Sequence, residues 1–129
     1  MTQMVRRVTP MHIVDDVHEA GLAFEALGFE RVETELPDEC RGWRASNGSS
    51  VVVTARSLIA RQFGKDVATR IGAAVIPYVW VGSVSGALEE LAGRDHSAEV
   101  LAQTLTSYQT VEAIIRTRGG YMLLAERLG

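Results

Sequence analysis

Cysteine and histidine are the residue types in this sequence best suited to nucleophilic or metal-binding chemistry, and both are rare. The chain has one cysteine, Cys40, and three histidines among 129 residues. A single cysteine excludes an internal disulfide and a cysteine-based zinc cluster. The acidic residues beside Cys40 in LPDECRG disfavour a thiolate, so we interpret it as an idle thiol. We expect His18, on a helix flank, and His96, in a turn, to be solvated, and no nucleophile–base pair can be assigned.

The composition is that of an ordinary globular domain. Apolar residues make up 47% of the chain, charged residues 22%, and the net charge is −3. Basic residues are scattered, which argues against a nucleic-acid partner. No apolar run is long enough to span a membrane, and the start MTQMVRRVTP lacks the apolar core of a signal peptide. We therefore expect a cytoplasmic protein with no nucleic-acid or membrane partner.

The sequence contains two copies of one pattern of secondary-structure elements, and these elements must position any functional residue. SNGSSVVVTAR and TRGGYMLLAER each contain a glycine turn followed by a short apolar run. Gly48 and Gly119 are 71 positions apart, and so are Arg56 and Arg127. This constant offset indicates a duplicated hairpin.

The first half is predicted to contain a strand, a helix and three further strands. Asp16 is a natural N-cap, Glu19 completes a capping-box pattern, and Gly28 is suited to the position after the helix. Asn47-Gly48 is a strong hairpin signal. The predicted elements are a strand over 6–14, a helix over 16–27 and strands over 29–36, 41–46 and 50–55.

The second half repeats this order after a linker. The predicted elements are a strand over 75–82, a helix from Ser83 to Gly93 and strands over 98–103, 110–117 and 121–127. Ser57 to Gly72 carries a helical apolar stripe, interrupted by Gly64, and is predicted to be a linker helix; a mobile lid is the alternative. The chain is thus predicted to be one domain, residues 1–129, with modules over about 5–56 and 75–128 joined by the linker helix at 57–72.

This order resembles the vicinal-oxygen-chelate superfamily, which includes glyoxalase I, extradiol dioxygenases, fosfomycin-inactivating enzymes and bleomycin-resistance proteins. The resemblance is carried by Asp16, ALGFE at 26–30, the Asn47-Gly48 hairpin, VWVGSV at 79–84 and RGGYMLLAE at 118–126. Thr9-Pro10 and Gly42-Trp43 look closest to the bleomycin-resistance branch. The resemblance implies an α+β fold in which two βαβββ modules form a curled mixed sheet around a central cavity, with the helices outside. It also implies a homodimer.

Metal-using members of this superfamily place one ligand on each of four strands. The corresponding positions here are Thr9 or Val8, Val53, Ile76 or Val75, and Leu124. A threonine hydroxyl and aliphatic side chains are poor or impossible ligands, so we predict no metal and no cofactor. His12 and Glu126 are the two residues that could still form an atypical site, provided that His12 faces inward.

With the metal absent, the cavity is expected to bind a small organic ligand. The predicted ligand-binding residues are Met11, Trp43, Tyr78, Trp80, Met122 and Glu126. They suit a flat or cationic molecule, because rings stack on Trp and Tyr and Glu126 would pair with a positive group. The facing of Trp43 is left open, and the aromatic residues could instead fill the core. Glu112 and Arg116 are expected to pair on the sheet surface, with a position at the mouth of the cavity as the alternative. Tyr108 is expected to lie at the rim or to anchor a turn.

The resemblance and the predicted pocket favour a metal-free small-molecule-binding protein that sequesters a drug-like or aromatic metabolite. The alternative is a lyase, isomerase or dioxygenase of the same superfamily, with an atypical site that uses His12 and Glu126. A third hypothesis is an interaction or structural module in which side chains fill the core and no ligand binds. No catalytic residue is assigned.

Overall fold

The structure, a computed structural model, describes residues 4–93 and 98–129. His96 therefore lies outside the described residues. Two compact units are present, one formed by Thr9–Val75 and the other by the residues up to Val8 together with Ile76–Gly129. We call them the N-terminal and C-terminal units. The helices are α1 (Val17–Ala26), α2 (Arg56–Phe63), α3 (Lys65–Ile71) and α4 (Val84–Gly93). The strands are β1 (Val5–Val14), β2 (Glu30–Val32), β3 (Cys40–Arg44), β4 (Ser50–Ala55), β5 (Val75–Val81), β6 (Glu99–Leu105), β7 (Thr110–Thr117) and β8 (Gly120–Arg127).

The two units repeat one strand order. In the N-terminal unit the order is β2-β3-β4-β1, with β1 parallel to β4 and the other pairs antiparallel. In the C-terminal unit the order is β6-β7-β8-β5, with β5 parallel to β8 and the other pairs antiparallel. The predicted α+β class and the two mixed βαβββ modules are therefore confirmed.

Helix α1 forms where the capping residues predict it. The Asp16 Oδ1 atom accepts a hydrogen bond of 3.0 Å from the Glu19 backbone N–H. After the helix, Gly28 adopts a φ of 97°, a conformation that costs glycine little. The helix buries Val17 and Gly21 against the N-terminal sheet.

Two predicted elements differ from the structure. The linker is two helices, α2 and α3, because Gly64 between them has a φ of 104° and interrupts the helical backbone. The strand predicted over 29–36 shortens to β2. There, the Thr34 Oγ1 atom accepts from Leu36 N and donates to Cys40 O, so a side-chain turn replaces the strand ladder.

Each sheet buries one face beneath its helix. In the N-terminal unit, Trp43, Val51 and Val53 pack beneath α1 with Val17. In the C-terminal unit, Val79 and Leu124 pack beneath α4 with Val84. The outermost strand of the C-terminal unit, β6, has a register shift between Val100 and Ala102.

Candidate binding groove

One face of the C-terminal sheet points away from α4 and carries two aromatic residues. The register pairs Tyr78 with Leu123 and Trp80 with Ala125. Because paired residues of neighbouring strands share a face, these four side chains lie on the face opposite to Val79 and Leu124. The Tyr78 and Trp80 rings are tilted against each other with centroids 5.3 Å apart. The structure therefore brings two predicted ligand-binding residues together.

The prediction that Met122 and Glu126 share this face is wrong. Met122 packs against the apolar cluster beneath α4. The Glu126 Oε1 atom accepts a hydrogen bond of 2.8 Å from the backbone N–H of Val84, the first residue of α4. A carboxylate at this position satisfies a helix N-terminal donor. Alternation correctly predicts that Met122, Leu124 and Glu126 share one face of β8, but this face lies beneath α4 and not on the side of Tyr78 and Trp80.

A buried carboxyl group lies beside Tyr78. Glu112, on β7, is 1% exposed, and its Oε2 atom accepts hydrogen bonds of 2.9 Å from both Tyr78 Oη and Thr110 Oγ1. Tyr108 also donates a hydrogen bond to this carboxyl group. The expected surface pairing of Glu112 with Arg116 is therefore wrong. Arg116 instead forms an ion pair with Glu99, with 2.9 Å between Nη2 and Oε2.

Burial changes the acidity of Glu112. Removal of the carboxyl group from water raises the pKa of Glu112 above its ordinary value, while the hydrogen bonds from Thr110, Tyr78 and Tyr108 oppose that shift. Carboxyl groups whose pKa is shifted by burial cluster at functional sites.

An open groove of about 390 Å³ adjoins this face and is lined by Arg6, Arg7, Trp80, Val81, Gly82 and Arg127. The Arg127 guanidinium lies over the indole of Trp80, with 5.3 Å between its Cζ atom and the ring centroid. Neither Arg6 nor Arg7 is among the predicted site residues. Their signal in the sequence is the Arg-Arg pair at the start of the first strand. Arg127 could have been found from the alternation along β8, which puts it on the face of Ala125.

The predicted site residues of the N-terminal unit, Trp43 and Met11, are buried side chains. Trp43 is 1% exposed and lies beneath α1, where a Cβ atom at Gly21 would overlap its ring. Its Nε1 atom donates a hydrogen bond of 3.3 Å to Glu25 Oε2. Met11 is also 1% exposed and, by alternation, faces away from its neighbour His12. The His12 ring contacts Phe24 of α1 edge to face, with centroids 5.5 Å apart, so His12 faces the helix.

The strand positions that correspond to metal ligands do not carry suitable donors. Val53 and Leu124 pack beneath α1 and α4, so the positions predicted on β4 and β8 were shifted by one residue. Alternation puts Thr54 and Ala125 on the opposite faces, and Thr9 Oγ1 is buried without a partner among the described residues. Neutral hydroxyl groups and aliphatic side chains do not fit a divalent ion.

The remaining candidate ligands are dispersed. Within residues 4–93 and 98–129, no three His, Cys, Asp or Glu side chains lie close enough to hold a metal ion together. His18 is exposed on α1. Cys40 is half-buried, and its Sγ atom accepts a hydrogen bond of 3.6 Å from Thr54 Oγ1.

The chain is similar to several solved structures. One is an NAD-dependent benzaldehyde dehydrogenase from Legionella pneumophila, with a TM-score of 0.71 and 9% identity over 95% of this chain and 100% of that one. Another is methylmalonyl-CoA epimerase from Mycobacterium tuberculosis, with a TM-score of 0.66 and 14% identity over 100% of this chain and 93% of that one. A third is a glyoxalase/bleomycin resistance protein/dioxygenase superfamily member from Vibrio splendidus 12B01, with a TM-score of 0.57 and 14% identity over 93% of this chain and 97% of that one.

This chain has the glyoxalase fold. No family model matches its sequence, and no curated protein matches it. Proteins that share the glyoxalase fold carry out unrelated chemistry, so the function must be argued from the groove and its residues. In the described part of this glyoxalase-fold chain, every helix is too short or too polar to cross a membrane.

Proposed function

We propose that this chain is a metal-independent small-molecule-binding protein whose ligand places an aromatic ring against Trp80. The observation that carries the proposal is the half-buried indole of Trp80, which Tyr78 supports from within the sheet face at 5.3 Å. A side chain held in this way offers a ring surface at the groove at little further cost in conformational entropy.

The size of the groove supports this function. Its volume of about 390 Å³ lies in the range of about 300–1,000 Å³ that is usual for small-ligand sites. One stacking contact contributes about 0.5–1.5 kcal/mol beyond area burial. Useful affinity therefore needs further contacts with the residues that line the groove.

Calorimetric titration of the wild-type protein tests the proposal. The probes are 4-nitrobenzenesulfonate, 4-nitrobenzyl alcohol and 4-nitrobenzylammonium, which share one ring and differ in charge. We expect saturable binding of at least one probe, lost in Trp80→Leu and kept in Trp43→Phe, which changes the other tryptophan. If no probe binds, or if binding survives the loss of Trp80, the proposed function is wrong.

The buried carboxyl group of Glu112, with its donors Tyr78, Thr110 and Tyr108, favours a second candidate function, an isomerase or lyase that transfers a proton. A carboxyl group with a raised pKa is suited to general acid–base catalysis. This candidate replaces the predicted site of His12 and Glu126, whose side chains are engaged with Phe24 and with Val84.

Methylmalonyl-CoA epimerase is among the similar solved structures, and this gives the second candidate a defined probe. Exchange of the α-proton of methylmalonyl-CoA in D₂O, followed by NMR, would support it if the exchange were lost in Glu112→Gln and kept in Glu99→Gln. Exchange no faster than in buffer alone would remove support from this candidate.

The resemblance implies three further properties that stay proposals: a homodimer, a cytoplasmic location and a role in drug sequestration. Sedimentation of the purified protein tests the first of these directly.

A further inference from the structure

Three arginines line the groove beside Trp80. Arg6 and Arg7 enter it from β1, and Arg127 from β8, while the other lining residues, Val81 and Gly82, are uncharged. At Gly82 a Cβ atom would lie 3.3 Å from Arg6 Nη2, so the absence of a side chain leaves room for this guanidinium against the backbone.

The three groove arginines differ from four arginines that are paired with carboxylates. Arg31, Arg56, Arg61 and Arg116 each form an ion pair with a carboxylate. Within the described residues, Arg6, Arg7 and Arg127 form none. Like charges that share a groove repel one another, and the repulsion is relieved when an anion binds between them.

Two carboxyl groups on the neighbouring strand positions, those of Glu126 and Glu112, accept hydrogen bonds from other groups. Glu126, adjacent to Arg127, accepts from Val84 N at the start of α4. Glu112 lies on the same sheet face as Arg127, but its Oε2 atom is occupied by Tyr78 Oη and Thr110 Oγ1. The positive charge of the groove is therefore not neutralised by these neighbours.

We propose that the ligand of this groove is a flat aromatic molecule that carries an oxyanion, with its ring on Trp80 and its carboxylate, sulfonate or phosphate on Arg6, Arg7 and Arg127. This inference rests on the proposed function and names the chemical class of its ligand. It replaces the cationic ligand predicted from the sequence, which depended on Glu126 as the counter-charge. A guanidinium group can donate two parallel hydrogen bonds to two oxygens of one oxyanion, and it also stacks on aromatic rings.

The test compares the affinities of the three probes, which share one ring and differ in charge. We expect 4-nitrobenzenesulfonate to bind at least about tenfold more tightly than 4-nitrobenzyl alcohol, which corresponds to about 1.4 kcal/mol, and the ammonium probe to bind most weakly. Raising the salt concentration should weaken binding of the anion and leave the alcohol unchanged. 4-Nitrobenzoate and 4-nitrophenyl phosphate, measured in parallel, distinguish the three kinds of oxyanion.

Variants assign the effect to the groove. Arg6→Gln and Arg127→Gln should each lower the affinity for the sulfonate at least about fivefold and leave that of the alcohol within about twofold. Arg116→Gln, which removes an arginine paired with Glu99, should change neither. If the alcohol or the ammonium probe binds as tightly as the sulfonate, or if Arg116→Gln has the same effect as Arg127→Gln, this inference is overturned while the proposed function stands. If no probe binds, both fail.

Discussion

The Tyr78 hydroxyl donates a 2.9 Å hydrogen bond to the Glu112 carboxyl group, which is 34 positions away in the sequence and almost fully buried. This bond joins β5 to β7 across β8. It also ties the ring that supports Trp80 to a titratable group. Two of the predictions below follow from it.

Tyr78→Phe removes one donor and keeps the ring. A buried acceptor that loses a hydrogen bond destabilises the folded state by about 1–3 kcal/mol. We expect a loss of this size in the free energy of unfolding, measured by urea denaturation. Tyr121→Phe, which removes the hydroxyl of a half-buried tyrosine on β8, is the control and should cost clearly less.

Glu112→Gln changes how stability depends on pH. The folded-state pKa of Glu112 is raised above its ordinary value of 4.5, so the folded protein keeps this proton at pH values where the unfolded chain releases it. The contribution of Glu112 to stability is therefore fully present below about pH 4.5 and is lost as the pH rises through the folded-state pKa.

The glutamine variant stays neutral and avoids this loss. Its free energy of unfolding, relative to that of the wild type, should therefore increase as the pH is raised from about 4 to about 8. Urea denaturation at several pH values measures the difference, and Glu99→Gln, an exposed carboxyl on β6, is the control. A relative stability that is independent of pH would contradict the raised pKa.

Gly21→Ala should be destabilising. A Cβ atom at this position of α1 would overlap the Trp43 ring at Cζ2. Overpacking of this kind typically costs about 1–3 kcal/mol, although alanine is otherwise the better helix former. Thermal unfolding measures the loss. Gly93→Ala is the matched control, because nothing lies within 4 Å of a Cβ atom at that helical position.

Glu126→Ala should weaken α4 through the loss of its N-terminal acceptor. The Val84 N–H then has no carboxylate partner, and the loss of such a cap costs about 0.5–2 kcal/mol. Chemical denaturation measures the effect, with Glu89→Ala on the exposed side of the same helix as the control. A variant of unchanged stability would show that the carboxylate has another role.

Local signals in the sequence were sufficient for most of the elements. Asp16, Gly28 and the Asn47-Gly48 turn each specify a backbone conformation through their own chemistry, and the structure forms a helix or hairpin at each. The duplication predicted from the repeated hairpins corresponds to the repeated strand order.

The face of the sheet on which a side chain lies was harder to predict than the presence of a strand. Leu124 and Glu126 were correctly assigned to one row, but alternation does not reveal which row lies beneath the helix, and a shift by one residue reverses the answer. The pairing of Trp80 with Ala125 shows which row lies beneath the helix, and this pairing joins residues that are far apart in the sequence. A lone charged residue in an apolar strand predicts an exposed side chain, whereas Glu112 is buried. The groove could not be predicted because Arg6 and Arg127, which both line it, are distant in the sequence.

The irregular register of β6 has a consequence for solubility. An open outer strand exposes unpaired backbone groups that can recruit a second chain into a growing sheet, and this strand also exposes Val100 and Leu105. The bulge between Val100 and Ala102 interrupts the regular spacing that such strand addition requires, and Glu99 places a charge beside it. Edge-to-edge addition of further molecules, which would extend the sheet into a fibril, is thus opposed by the irregular strand itself.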